Sequence, residues 1–430
     1  LKEGFTISGS DNKESALTQH LASLGATVFY GQKASNIIEG IDLVVYTAAV
    51  HEDNEEYMAA VQKGLPMLSR AELLGQLMNN YDMPIAISGT HGKTTTTSML
   101  SHILLAGELD PTISVGGILK AIGGNIKVGN SEIFLTEACE YTNSFLHFFP
   151  KISIILNIEE DHMDFFKDID DIRNSFHEFA KLLPSDGTLI INNEIEKMET
   201  ITEGLSCRVI TYGLNDFADY SARNLAYDEM GCTSFDFYRF GEFVERIRLS
   251  VTGDHNVSNA LAAIAAGDLT AVPLDAIKKG LLSFRGTNRR FEYKGEKNGV
   301  TIIDDYAHHP TEIKATLTSV KHYPHRETWC IFQPHTYTRT KAFFHEFAEA
   351  LSLADHIVLV DIYAARETDT LGMSSALLAE ELKKSGADVY YFPSFSEVEK
   401  FVTKQCIHGD LLITMGAGDV VNIGESILSQ

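Results

Sequence analysis

From Phe5 to about Tyr81, short apolar runs (FTIS, ATVFY, IDLVVYTA) alternate with stretches of helical period. In one of these, ESALTQHLASLG, Leu17, Leu21 and Leu24 share a face. Strand followed by helix, repeated, predicts a mostly parallel sheet. The polar stretch NNYDMP at 79–84 breaks the pattern before a new apolar strand, IAIS, and places the first domain boundary there, giving a domain over 1–81. The second segment, 82–285, carries the strands EIFLTEA and KISIILNI. It then runs YSARNLAYDEMGCTSFDFYRFGEFVERIRLS, whose period of two predicts antiparallel strands beside the parallel sheet. The third segment, 286–430, restarts with VTIIDDYA and repeats strand then helix through TWCIFQP, KAFFHEFAEALSLA, HIVLVDIY, ALLAEELKKSG, DVYYF, EVEKFVTKQC and DLLITM, a doubly wound pattern.

A chain of 430 residues, 44% hydrophobic, is too long for one ordinary core, which agrees with several domains. The formal charge of −24 repels nucleic acid and anionic lipid, so an anionic ligand must meet a local basic pocket. No apolar run approaches the ~20 residues that span a bilayer, so no membrane insertion is expected. Five cysteines (Cys139, Cys207, Cys232, Cys330, Cys406) are widely spaced without a CxxC pair, which argues against disulfides or zinc and fits a reducing cytoplasm. The opening LKEG reads as the end of a helix, so an initial strand and its loop are expected to be absent from the chain.

The sharpest chemical signal is GTHGKTTTT at 89–97, after a strand and before a helix-compatible run. Backbone N–H groups of Gly89, Thr90, His91, Gly92 and Thr95 would cradle phosphate, Lys93 would reach the terminal phosphates, and Thr94 would ligate Mg²⁺. The spacing is imperfect, since Ile87 stands where the usual loop has its first glycine, and an ordinary glycine turn is the bland alternative. The next strands end in EACEY (Glu137, Glu140) and NIEEDHMDFF (Glu159, Glu160, Asp161, His162, Asp164). Parallel strands open their C-terminal ends on one edge, so these groups can converge on a metal, or else they are solvated caps. His162 reads better as a metal ligand than as a base.

Asn256 and Asn259 lie three apart at the start of a small-residue helix, where they cap it or read an adenine edge. GTNRRFE supplies Arg289 and Arg290, and DDYAHHP supplies Asp304, Asp305, Tyr306, His308 and His309. QPHTYTRT supplies His335, Tyr337 and Arg339; DIYAARE supplies Tyr363 and Arg366. An Arg at a strand end makes a fork for a small carboxylate. GAGD at 416–419 reads as a structural turn. The fold class expected is α/β in three domains: Rossmann-like, then a P-loop ATPase-type centre with added antiparallel strands, then Rossmann-like again.

With these motifs in this order the chain resembles the Mur ligase family over essentially its whole length: SGSD, GTHGKTTT, EACEYTNSFL, NIEEDH, GDHNVSNA, GTNRRFE, DDYAHHPTE and QPHTYTR. The resemblance implies ATP-dependent joining of L-alanine to the carboxylate of UDP-N-acetylmuramate through an acyl phosphate, with Mg²⁺. It implies that Lys93 and Thr94 hold phosphates and metal, Glu137 the first metal, and His162 a second. It further implies Asn256 and Asn259 at adenine, Arg290 at the γ-phosphate, Asp305 at ribose, and Tyr306, His335 and Arg339 around the amino acid. By the same resemblance, residues 1–81 bind the UDP part, 82–285 ATP, and 286–430 the amino acid. His308 is the candidate general base. Oligomeric state, a homodimer included, is left open. Two departures stand out: Thr336 follows the QPH histidine where some members have Arg, and Phe176 lies near the spot where others carry a carbamylated lysine. Rival readings are a sister ligase that attaches a whole peptide, an ATP-hydrolysing binding module, and a nicotinamide oxidoreductase, the last disfavoured by the lack of an intact GxGxxG.

Overall fold

The computed structural model describes residues 1–430 except 2–3, 48, 164, 366 and 370; the side chain of Ala16 is likewise left undescribed. Asp164 and Arg366, named above as candidates, and Lys2 and Glu3 of the expected opening helix end lie outside the described residues. The chain divides into two compact units, residues 1–80 with 142–149, and residues 81–141 with 150–430.

The first unit holds two small parallel sheets, Ser8–Asp11 with Thr27–Tyr30 and Val44–Tyr46 with Met67–Ser69. The parallel pairing expected from the β/α rhythm is present, but in two pieces. The FTIS strand is displaced: pairing begins at Ser8, opposite Thr27, and Phe5 lies outside it. Leu17, Leu21 and Leu24 are 49%, 40% and 56% exposed, so the face they share is not a core face. Helix starts are well marked. Ser69 accepts the N–H of Glu72, whose carboxylate returns to the Ser69 N–H, a capping box that opens helix Arg70–Met78. On that helix a side chain at Gly75 would sit 1.9 Å from the carbonyl oxygen of His147, so the glycine is what lets segment 142–149 pack there.

The second unit contains a ten-stranded and a six-stranded sheet. In the first, the strands Arg208–Gly213, Thr188–Asn192, Ile152–Ile155, Met83–Ser88, Ile133–Glu137 and Thr112–Leu119 run parallel, side by side in that order. Antiparallel pairs extend both edges: Thr112–Leu119 with Gly124–Lys127, and Tyr220–Tyr227, Cys232–Arg239 and Glu242–Thr252 on the other side. The latter are the strands that the period-two run predicts, antiparallel to one another, although the first of them, Tyr220–Tyr227, joins Arg208–Gly213 in parallel. Helices Lys93–Ala106, Asp254–Leu269 and Leu274–Ser283 pack against one another beside this sheet. They approach closely: a side chain at Gly267 would lie 3.0 Å from the Ile103 side chain, and one at Gly280 2.6 Å from its Cα. Residues Ala260 to Ala266 are fully buried, which explains a helix built almost entirely of alanine and other small apolar residues.

The six-stranded sheet runs Glu292–Lys297, Val300–Asp305, Leu411–Met415, Thr328–Phe332, His356–Leu359, Val389–Tyr391, parallel except for the first. It has an apolar cluster on each face, as a doubly wound layer requires. The strand Glu292–Lys297 was not expected. It is polar, and it joins its neighbour through a two-residue turn in which Asn298 (φ +53°) and Gly299 (φ +78°) are both left-handed. Among the described residues no helix is long and apolar enough to cross a membrane.

Candidate active site

The strand Met83–Ser88 ends in a turn that only glycine fits. Gly89 has φ +144°, and a Cβ there would meet the Leu156 Cβ at 2.8 Å; Gly92 has φ +85°, and its Cβ would meet Asn259 Oδ1 at 2.7 Å. The turn is clamped by the segment leaving the neighbouring strand. Thr90 N–H donates to the Asn157 carbonyl (3.2 Å), His91 N–H to Asn157 Oδ1 (2.7 Å), and Glu159 N–H to the Thr90 hydroxyl (2.9 Å). Helix Lys93–Ala106 then starts with no side-chain cap, leaving its first N–H groups for a ligand.

Lys93 Nζ donates to the carbonyls of Gly89 and Thr90 and lies 2.9 and 3.2 Å from the two oxygens of buried Glu140. Burial opposes its charge, but Glu140 more than compensates and raises its pKa. Thr94 Oγ1 donates to Glu137 Oε2 at 3.0 Å, while the other Glu137 oxygen accepts the Gly116 N–H at 2.6 Å. His162 Nε2 lies 3.7 Å from Glu140 Oε1, and its ring packs on Tyr141 at 4.6 Å between centroids. Burial lowers the His162 pKa, which keeps the imidazole neutral and able to ligate a cation. Thr94 thus meets Glu137, and His162 meets Glu140, as two pairs beyond the C-terminal ends of parallel strands. Each carries donors of the kind a hard divalent cation takes, but among the described residues Glu137, Glu140 and His162 do not bring their ligand atoms together at one point.

Beside the loop opens a cavity of about 900 Å³ whose lining includes Gly92, Thr95, Asn256, Asn259, Arg290 and Asp305. The helix carrying the asparagines is capped by Gly253, so neither amide is used as a cap. Asn256 Nδ2 binds the Thr252 carbonyl (2.7 Å), and Asn259 Nδ2 donates to Asn256 Oδ1 (3.2 Å). Asp305 accepts the N–H groups of Phe291 (2.8 Å) and Ala307 (2.7 Å), and burial pushes its carboxyl up to about 6. Arg289 and Arg290 stand over the Tyr306 ring at 4.9 and 5.3 Å.

The remaining candidates form a second group. Arg339 donates to Asp161 at 2.7 Å and lies 3.0 Å from His335 Nδ1; the His335 ring stacks on Tyr363 at 5.7 Å and meets His308 at 5.6 Å. Burial lowers the His308 pKa to about 4, so its imidazole is neutral near pH 7 and can accept a proton, weakly. Asp161 stands between the two groups: it accepts from Arg339, and it also accepts the His162 N–H (2.8 Å) and lies 3.9 Å from His162 Nε2. Glu159 likewise accepts from Thr311 (2.5 Å) and lies 3.6 Å from His91 Nε2. His91, Glu159 and His309 come close enough to share a cation, but His309 Nδ1 accepts the Thr311 N–H and its Nε2 lies 3.2 Å from the Glu160 carbonyl, so both ring nitrogens are engaged.

Sequence reasoning missed Glu312. Its carboxylate lies within 3.4 Å of His91, Arg290 and His308. The available signal was local: in HHPTE, a proline and then a glutamate follow a capping residue.

Three family models account for nearly the whole chain: the Mur ligase family catalytic domain over 1–82, the Mur ligase middle domain over 87–267, and the Mur ligase glutamate ligase domain over 289–418. Over 429 residues the chain is 59% identical to the UDP-N-acetylmuramate--L-alanine ligase of Agathobacter rectalis, covering all of this chain and 94% of that protein. The chain belongs to the Mur ligase family. The correspondingly named ligase of Clostridium beijerinckii is 50% identical over 428 residues, covering 100% and 93%. Among solved Mur ligases, the UDP-N-acetylmuramate-alanine ligase of Thermotoga maritima superposes with a TM-score of 0.83 at 28% identity, covering 98% of this chain and 92% of that one. A murein peptide ligase of Psychrobacter arcticus shares the fold with a TM-score of 0.70 at 24% identity, covering 100% and 94%.

Proposed function

We propose that this Mur ligase acts in the cytoplasm to join L-alanine to the carboxylate of UDP-N-acetylmuramate at the expense of ATP, the first amino-acid addition in peptidoglycan precursor assembly. The observation that carries the reading is full-length identity of 59% to a ligase of that name. The geometry supports it, because the phosphate loop, the cavity and the Arg339 group lie within one compact unit. In this reading residues 1–81 bind the UDP part, 82–285 the ATP, and 286–430 the amino acid.

A carboxylate resists amines because its leaving group would be an oxide. The substrate carboxylate oxygen therefore attacks the γ-phosphorus, the bond to the β-phosphate oxygen breaks, and an acyl phosphate and ADP result. Lys93 and Arg290 supply positive charge to the transferring group, a task of positioning and electrostatics. Asn256, Asn259 and Asp305 hold the nucleoside. Thr94 and Glu137 would hold one Mg²⁺ and His162 a second, and the ion, when bound, neutralises charge on phosphate oxygens. Arg339 with His335 takes the alanine carboxylate, Tyr306 lines its pocket, and neutral His308 accepts the proton lost as the amine attacks the acyl carbon and phosphate departs.

The test is phosphate release and amide formation with UDP-N-acetylmuramate plus L-alanine, against the same nucleotide sugar plus a tripeptide. Turnover with L-alanine is expected. Turnover with the tripeptide alone, or ATP hydrolysis without amide product, overturns the proposal.

A further inference from the structure

Glu312 occupies the third position of helix Pro310–Val320, whose cap is His309. Its Oε2 does the capping work, accepting the N–H groups of His308 (3.0 Å) and His309 (3.4 Å). A cap needs no more than that. Yet Oε1 faces two cationic groups from distant parts of the chain, His91 Nδ1 at 3.3 Å and Arg290 Nη1 at 3.4 Å. His91 belongs to the phosphate loop at the end of a strand of the ten-stranded sheet, and Arg290 to the turn that leads into the six-stranded sheet. The side chain of Glu312 is only 11% exposed, so its charge interacts with little screening by water. The same junction is supported alongside by the Thr311 hydroxyl on Glu159.

We propose that Glu312 is a positioning residue for phosphoryl transfer: through Oε1 it holds Arg290 and the phosphate loop in register with one another. The proposal rests on the reading of Arg290 as a cation that meets the γ-phosphate. His91 is the link on the loop side. The groups facing it are Glu312 from the helix, Glu159 from the segment after Ile152–Ile155, and the His309 ring at 4.7 Å. Both carboxylates favour its imidazolium, which is then the partner that Oε1 requires.

Glu312→Gln separates capping from charge, because an amide oxygen still accepts the two N–H bonds while the carboxylate is gone. It also withdraws that charge from His308 Nδ1, 3.2 Å away, so His91→Gln, which leaves that pair in place, is the arm that isolates positioning. The full chain is expected to lose part of the stability that the His91 pairing contributes yet stay folded at the assay temperature, with kcat for amide formation reduced on the order of ten- to a hundredfold, as sub-ångström misplacement of a reacting group predicts. The KM for L-alanine should stay the same. The basic limb of the kcat–pH profile should move toward neutrality, since His91 has lost one of its two carboxylates. His91→Gln is expected to reproduce the loss of kcat, and the double variant to lose no more than the worse single one, as residues acting through one contact do.

Wild-type kcat and an unmoved basic limb in Glu312→Gln, or losses that add in the double variant, overturn the proposal. If Glu312→Gln unfolds at the assay temperature, His91→Gln decides alone, and full kcat there overturns it. Titration of ¹³C-labelled histidines by NMR, with His91→Gln assigning the resonance, needs no turnover. A wild type without ligation would sink the function while leaving the His91–Glu312 contact measurable. A ligating wild type matched by both variants would sink only the positioning role.

Discussion

Replacing Lys93 with alanine removes two things at once, and the structure lets them be separated. Lys93 Nζ sits 2.9 and 3.2 Å from the oxygens of Glu140, a residue 2% exposed. Taking away the cation leaves a buried carboxylate uncompensated, which costs about 3–5 kcal/mol. It also removes a preorganised positive charge from the phosphate loop, a change that lowers turnover about 10²- to 10³-fold. In Lys93→Ala/Glu140→Gln the buried charge is gone and most of the stability should return, whereas turnover should not. Scanning calorimetry reads the first quantity, and phosphate release coupled to chromatography of the amide product reads the second. Wild-type turnover in Lys93→Ala would remove the phosphate-loop assignment. Recovery of turnover in the double variant would show that Lys93 matters only as the counter-ion of Glu140.

Glu137→Gln should raise the Mg²⁺ concentration needed for half-maximal turnover by on the order of ten- to a hundredfold, with the KM for L-alanine unaffected; an unchanged Mg²⁺ titration would contradict the metal role. Gly89→Ala forces a Cβ to 2.8 Å from the Leu156 Cβ at φ +144°, so it should cost about 1–3 kcal/mol in thermal unfolding and abolish binding of a fluorescent ATP analogue, and an unaltered melt would refute the fit. At His91, burial favours the neutral form but Glu312 and Glu159 outweigh it, lifting the pKa from 6.5 to about 9. A raised folded pKa contributes stability that is complete below pH 6.5 and is lost as pH rises through 9, worth at most about 3 kcal/mol. Denaturant titrations should therefore show the advantage of wild type over His91→Gln shrinking between these pH values, and a difference independent of pH would refute the pairing.

Features written in neighbouring residues were legible in the sequence. The glycine turn into Lys93 is a local signal, and the parallel strands around it follow from β/α alternation, so Glu137 and His162 could be placed on one edge without coordinates. The long period-two run gave the antiparallel extension for the same reason. The polar edge strand Glu292–Lys297 escaped because it carries no apolar alternation; the Asn298–Gly299 turn was its only marker. The acidic run after Ile155 showed a sequence limit of another kind. Asp161 and Glu159 look alike as strand-end carboxylates, but their partners, Arg339 and Thr311, lie 178 and 152 residues away. Glu312 announced itself only as a helix start, because just one of its oxygens serves the local chain.

The tight contact of Gly267 and Gly280 with Ile103 has a consequence for what the cavity accepts. Gly267 sets the helix that begins at Lys93 against the helix that bears Asn259, Gly280 sets it against helix Leu274–Ser283, and the missing Cβ of Gly92 brings loop and amide together. Sliding the first helix along either neighbour would press Ile103 against one of these two glycine positions. The spacing between Thr94 and the asparagines is therefore set by helix packing, and a ligand that touched both ends would have to match it.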